Sequence, residues 1–305
     1  MRDVQSKIAD GTQEVRQVTL RPRRSALYMP GSNARALEKA KTLEADVVIF
    51  DLEDAVAPDA KEEARSQVME AVGSGEYGSR ELVVRVNGLA SPWGQDDLTA
   101  AVASGPDAVL LPKVEEADQL RVAASALSRS ANPVSLWAMI ETPLAIVNVN
   151  EIARAATEED VALACFVVGT NDLVKDTRAE LDQNRTAAVY WLSAIVTAAR
   201  AFGIDVLDGV YNNFKDLDGF EAECRHGRML GMDGKTLIHP TQIAPANVVF
   251  APSPDEVTWA RRIIAAFEEP QHQGKGVINI DGQMVELLHI EIAKRTVAIA
   301  DAIGI

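Results

Sequence analysis

Short apolar runs recur along the chain, each ending in polar residues and each followed by a stretch in which apolar positions return every three or four residues. They begin with ALYMP at Ala26, DVVIFDLED at Asp46, LVVRVN at Leu82 and AVLLPK at Ala108, and continue with LWAMIET at Leu136, CFVVGTND at Cys165, DVLDGVY at Asp205 and TLIHP at Thr236. Runs of this kind, bounded by Pro, Thr, Asn and Gly, read as strands buried on both faces. The segments between them, such as 145–156, read as crossover helices of parallel units. Eight such units in about 250 residues is the number that closes a (β/α)8 barrel. A doubly wound open sheet is the alternative, disfavoured because no GxGxxG follows the first strand. The predicted fold is therefore α/β, a TIM barrel over 21–250 with a C-terminal helical extension over 251–305. Residues 1–20 are polar and unpatterned and are expected to form a mobile arm. The extension reads as a helix over 255–268, a Gly-rich joint around Gly274 and Gly276, and a last helix whose apolar stripe (Leu287, Leu288, Ile292, Ala293) needs a surface to bury it.

A barrel places its chemistry where strands give way to the following loops, and polar residues collect there. The first strand ends in Pro30, Gly31, Ser32 and Asn33 before a helix, where backbone N–H groups could hold an anion. The second ends in Asp51, Glu53 and Asp54, the third in Arg85 and Asn87, the fourth in Lys113. The fifth and sixth deliver Glu141 and Asp172, the seventh Asp208 and Tyr211, the eighth His239. Acids at the ends of buried strands are usually paired or coordinated, and two hard carboxylates facing one cleft suit Mg²⁺ or Mn²⁺. The competing reading is a helix cap for Asp172 and a salt bridge for Glu141. Arg85, set between apolar neighbours, offers a bidentate fork for a substrate carboxylate, or else an ion pair with Asp51 or Glu53. The tandem acids of DLEDAV either support the metal's waters or cap a helix. None of the four histidines has metal-ligand spacing.

Composition narrows the partners. With 305 residues, 47% hydrophobic, there is material for one large core. A net charge of −15, from 30 basic and 45 acidic residues, argues against nucleic-acid or anionic-membrane surfaces. Cys165 and Cys224 are too far apart and too few for a disulfide framework or a zinc site, which fits a reducing cytoplasm. No apolar run reaches the roughly 18 residues needed to span a bilayer, and the polar start lacks a signal-peptide core.

Taken together, RRSALYMPGSN, DVVIFDLEDAVAPDAK, VVRVNG, VLLPKVE, IETP, VVGTNDL and GKTLIHPTQI resemble the HpcH/HpaI aldolase and citrate lyase superfamily from about Arg23 to the end. Citrate lyase beta subunits and the malyl-CoA and citramalyl-CoA lyases are the relatives most resembled. The resemblance implies a TIM barrel binding Mg²⁺, with Mn²⁺ as a substitute, through Glu141 and Asp172. Arg85 falls on the residue that holds the substrate carboxylate, and Arg24 on the basic residue that meets coenzyme A phosphates. Asp51 and Glu53 join Arg85 as catalytic candidates, and Pro30, Gly31 and Asp54 as binding candidates. The family's lyases place an Asp in a C-terminal GxMxD motif, often delivered from a neighbouring subunit; here GQMVELLHIE puts Glu286 at that place.

The implied activity is cleavage or formation of a carbon–carbon bond in a malyl-, citramalyl- or citryl-CoA thioester, with an acyl-CoA and a 2-oxo acid as partners. A thioesterase on a related acyl-CoA, or a lyase subunit working on an acyl carrier protein, are the alternatives. A homo-oligomer, trimer or hexamer, is expected, with the C-terminal arm covering a neighbour.

Overall fold

The structure is a computed structural model that describes residues 21–305; the arm expected over 1–20 lies outside the described residues. Eight parallel strands close into a barrel in sequence order: β1 (Ser25–Pro30), β2 (Val47–Asp51), β3 (Glu81–Arg85), β4 (Ala108–Leu111), β5 (Ser135–Ile140), β6 (Leu163–Val168), β7 (Asp205–Asp208) and β8 (Gly234–Leu237), which pairs back to β1. A helix follows each strand. The expected TIM barrel is thus the observed fold, and each strand run identified in the sequence overlaps one of the eight strands.

Period-two alternation decides which side chains enter the barrel. Ala26, Val47, Ile49, Val83, Ala108, Leu110, Trp137, Met139, Cys165, Val167 and Leu207 fill the interior. The same parity carries Asp51 beyond Ile49, Arg85 beyond Val83 and Glu141 beyond Met139, so all three arrive inward at the C-terminal mouth. At the other end the interior is closed by a buried ion cluster. Arg23 bonds both oxygens of Glu81 at 2.7 and 2.8 Å and Asp205 at 2.8 Å, and lies 4.9 Å above the Trp137 ring. Outward positions of the strands pack against the helices as the main apolar core.

Residues Pro252–Ile305 belong to a second compact unit. The helix Pro254–Glu268 opens with a capping box between Ser253 and Glu256. The Gly-rich joint contains an unforeseen hairpin, β9 (Val277–Ile280) and β10 (Gln283–Glu286), turning on Asp281 and Gly282. Both turn residues have positive φ, 50° and 85°, the geometry for which Asp-Gly is favoured. The last helix, Leu287–Ile303, buries Ala293 and Ala300. Leu287, Leu288 and Ile292, expected to share a buried stripe with Ala293, are 54%, 55% and 60% exposed. They fall on another face from the one that joins Ala260, Ile263, Ile278, Ile280 and Val285 in the unit's small core. Among the described residues no helix is long and apolar enough to cross a membrane.

Candidate active site

A cavity of about 430 Å³ opens at the mouth, lined by residues from seven strand exits, among them Tyr28, Arg85, Glu141, Thr170, Asp172 and Asn212. Pro30, Asp51 and Asp54 also line it. Glu141 is 1% exposed. Its Oε1 accepts the backbone N–H of Lys113 at 2.8 Å, and Oε2 has no protein partner among the described residues. Among the described residues it forms no salt bridge, so that alternative falls. Burial, and next the charge of Glu53, push its carboxyl up to about 7, with Asp172 adding to the effect. Asp172 stands in the first turn of the helix Thr170–Thr177 and is not its cap, since the N-cap is Gly169. Close packing keeps that position a glycine: a Cβ there would lie 2.2 Å from Glu141 Cβ and 2.6 Å from Oε2.

Asp51 and Arg85 are register partners on β2 and β3. Asp51 accepts Arg85 Nε and Nη2 at 2.7 Å each and the N–H groups of Glu53 and Ala55 at 2.9 and 3.1 Å. Those four bonds fill the acceptor sites of a carboxylate. Asp51, expected among the catalytic candidates, is therefore a support for Arg85, the ion pair weighed as its alternative role. Arg85 correspondingly does not present a free fork: only Nη1 lies outside the bidentate pair, 2.9 Å from Glu53 and 3.4 Å from Asp54. The Tyr28 ring lies 4.9 Å from the guanidinium carbon. Glu53 Oε2 meets Nη1 at an angle that gives an ion pair without a hydrogen bond, leaving a buried oxygen unsatisfied. Burial raises the Glu53 carboxyl against the opposing pull of Arg85.

Other expected residues lie elsewhere. Arg24 precedes β1 at the opposite end of the barrel, roughly 20 Å from the mouth at about 3.3 Å per residue. There its backbone N–H and guanidinium bond Asp46, each contact 2.8 Å, so Arg24 is not part of this cavity. Gly31 N–H is spent on Asp51 O at 2.9 Å, Asn33 N–H on Pro30 O, and the Asn33 side chain caps the helix Ala34–Ala40, so these groups of the turn are engaged within the chain. Asp208 is fully buried with Lys235 and Arg185. His239 stacks on Phe214 at 4.6 Å. Glu286 belongs to the C-terminal unit, where its carboxylate and His289 form the capping box of the last helix.

The cavity also holds residues the sequence reading passed over. Tyr28 and Met139 follow from strand parity, being inward like Ala26 and Trp137. Thr170, whose Oγ1 is buried without a partner, and the reciprocal amide pair Asn171–Asn212 at 2.8 and 3.2 Å depend on loop geometry and left no sequence signal.

Among the described residues no group of three or more His, Cys, Asp or Glu forms a ready-made metal cage. Two carboxylates with open space beside them are nevertheless the donor set Mg²⁺ uses, with water and substrate completing its shell. The Glu141 carboxyl, raised by burial and like charge and with one oxygen unpartnered, fits a cation.

A (β/α)8 barrel that gathers acids and an anchored arginine at its C-terminal mouth has the arrangement of barrel enzymes, whose active sites lie at that face. The sequence profile described as HpcH/HpaI aldolase/citrate lyase matches residues 24–240, and the chain belongs to that family. A (3S)-malyl-CoA thioesterase of Cereibacter sphaeroides is 48% identical over 93% of this chain and 96% of its own. Citrate lyase subunit beta of Escherichia coli is 37% identical over 95% and 97%. The crystal structure of the protein CitE of Mycobacterium tuberculosis, in complex with magnesium, acetoacetate and coenzyme A, superposes with a TM-score of 0.69 at 30% identity, covering 91% of this chain and 99% of that one.

Proposed function

We propose that this chain hydrolyses a coenzyme A thioester of the malyl-CoA class, with Mg²⁺ held by Glu141 and Asp172. The observation that carries the choice of reaction is the residue at position 286. Carbon–carbon cleavage requires an acid or base at the thioester α-carbon, and where the lyases' C-terminal motif has Asp this chain has the longer Glu286, exposed at the start of the last helix. Hydrolysis needs no proton at that carbon. The 48% identity to malyl-CoA thioesterases, against 37% to citrate lyase beta subunits, supports the same choice.

When bound, the ion would polarise a substrate carbonyl and offset carboxylate charge. Arg85, held in its plane by Asp51 and Tyr28, supplies positive charge through Nη1 for the acid end of the acyl group. Tyr28 and Thr170 bring hydroxyls that have no strong acceptor among the described residues, where the Tyr28 hydroxyl reaches only Met139 Sδ at 3.8 Å and Thr170 Oγ1 has no partner. Glu53, raised by burial, takes the proton of the attacking water; its oxygen adds to the thioester carbonyl and the coenzyme A thiolate leaves, to be protonated in turn. Carbon–carbon cleavage is the second reading, favoured by the citrate lyase relatives.

Incubating the chain with malyl-CoA and Mg²⁺, and assaying free thiol and 2-oxo acid in parallel, separates them. Thiol without 2-oxo acid is the expected result. A 2-oxo acid with acetyl-CoA and no thiol would establish the lyase instead.

A further inference from the structure

Lys113, at the exit of β4, has a φ of 50°, the left-handed region that residues with a Cβ avoid. Such a conformation persists only where its surroundings over-determine it. Gln119, partly exposed in the first turn of the helix Ala117–Leu127, does so here. Its Oε1 accepts the N–H groups of Glu115 and Glu116 at 2.7 and 3.0 Å, and its Nε2 donates to the Lys113 carbonyl at 3.2 Å. Asn148 Nδ2 donates to Glu115 O at 2.9 Å, and Val114 N–H to Met139 O at 3.3 Å. The turned backbone delivers the Lys113 N–H to Glu141 Oε1 at 2.8 Å. Its side chain is 48% exposed and, among the described residues, reaches only Glu53, at 3.3 Å.

We propose that Lys113 is a positioning residue whose left-handed backbone, latched by Gln119, orients Glu141 to receive a divalent cation, with the lysine side chain dispensable for that task. This rests on the metal reading of Glu141 and Asp172. Metal ligands are commonly oriented by such outer partners, whose loss weakens binding by about ten- to a hundredfold.

The test is the dissociation constant of Mn²⁺ and of Mg²⁺, measured by calorimetry on the full chain. Lys113→Gly and Lys113→Asn, which accept positive φ, should bind within about threefold of the native chain, below the loss expected when an outer partner is removed. Lys113→Val, β-branched and disfavoured there, should bind about tenfold or more weakly with native circular dichroism. Should the valine variant not fold, Gln119→Ala opens the latch without touching the strained residue and should show the same loss. Native affinity in both Lys113→Val and Gln119→Ala, or a loss in Lys113→Gly as large as in Lys113→Val, would overturn the positioning role alone. A native chain that binds neither ion would overturn the metal reading and this proposal with it.

Discussion

At the scale of single residues, the mouth is built from side chains that strand parity could deliver and contacts that it could not. Asp51, Arg85 and Glu141 were legible because each ends an apolar run on an inward position. That Asp51 saturates one edge of Arg85 was legible only as an alternative, since the parallel register that makes them neighbours is not written in either strand. The register sharpens the prediction for Arg85→Lys. An ammonium keeps the charge but cannot span both oxygens of Asp51, leaving part of a buried carboxylate unsatisfied at about 1–3 kcal/mol. Urea unfolding should show that loss and steady-state kinetics a raised KM; unchanged stability would mean that the pair does not hold the arginine. Gly169 gives the complementary test. In Gly169→Ala the added methyl meets Glu141 Cβ at 2.2 Å, so Glu141 must shift. Overpacking of this kind costs about 1–3 kcal/mol, and titration with Mn²⁺ should show weakened binding in the folded variant. Native affinity would place Glu141 outside the metal site.

At the scale of elements, the eight strands were legible because each carries an apolar run bounded by turn residues, and the C-terminal hairpin was not, because its short strands VINI and QMVE bury only alternate or single residues and carry no continuous buried run. Asp281-Gly282 was the available signal, overlooked beside the Gly-rich joint expected around Gly274 and Gly276. The β7 and β8 ends illustrate a different limit. Asp208 resembles Glu141 in sequence, an acid closing an apolar run, yet it points outward, where Lys235 Nζ at 2.9 Å and Arg185 Nη1 at 2.8 Å meet it. Lys235 also bonds Glu223 at 2.6 Å, fastening the helix Leu217–Met229 to the barrel. Burial pushes the Asp208 carboxyl up, but Lys235 and Arg185 outweigh it and hold it below the ordinary carboxylate range. A depressed native pKa means that the unfolded chain binds the proton first as pH falls. The pair's stabilisation is therefore complete above the unfolded value, about 3.9, and is lost as pH drops through the lower native value. Asp208→Asn should cost about 3–5 kcal/mol at neutral pH by stranding buried cations, and should flatten the acid limb of stability followed by circular dichroism in urea. An unchanged acid limb would assign that limb to other carboxylates.

At the scale of the whole molecule, the barrel was legible from strand count and the C-terminal unit from the chain left over once the barrel is closed. What that unit does was legible only through the GQMVELLHIE stretch. Its last helix exposes Leu287, Leu288 and Ile292 beside Met284 at 70%, a run of apolar side chains on the element that begins at Glu286. Burial on a second copy of the chain would remove that surface from water, and it is the route by which the family resemblance brings Glu286 to another subunit's thioester. Mixing Glu286→Gln chains with Glu141→Gln chains tests this. On that reading each homogeneous sample lacks one half of the machinery, whereas a mixed oligomer presents some mouths with an intact Glu141 and an intact neighbouring arm. If Glu286 acts in trans, both parents are inactive and activity returns on subunit exchange, rising with mixing toward a plateau set by the fraction of matched neighbours. If hydrolysis runs as proposed, with proton transfer from within the barrel, homogeneous Glu286→Gln retains thiol release and mixing merely averages the parents. The two outcomes cannot both occur, so one exchange experiment read by thiol and 2-oxo acid release decides whether Glu286 is part of the chemistry or only the cap of its helix.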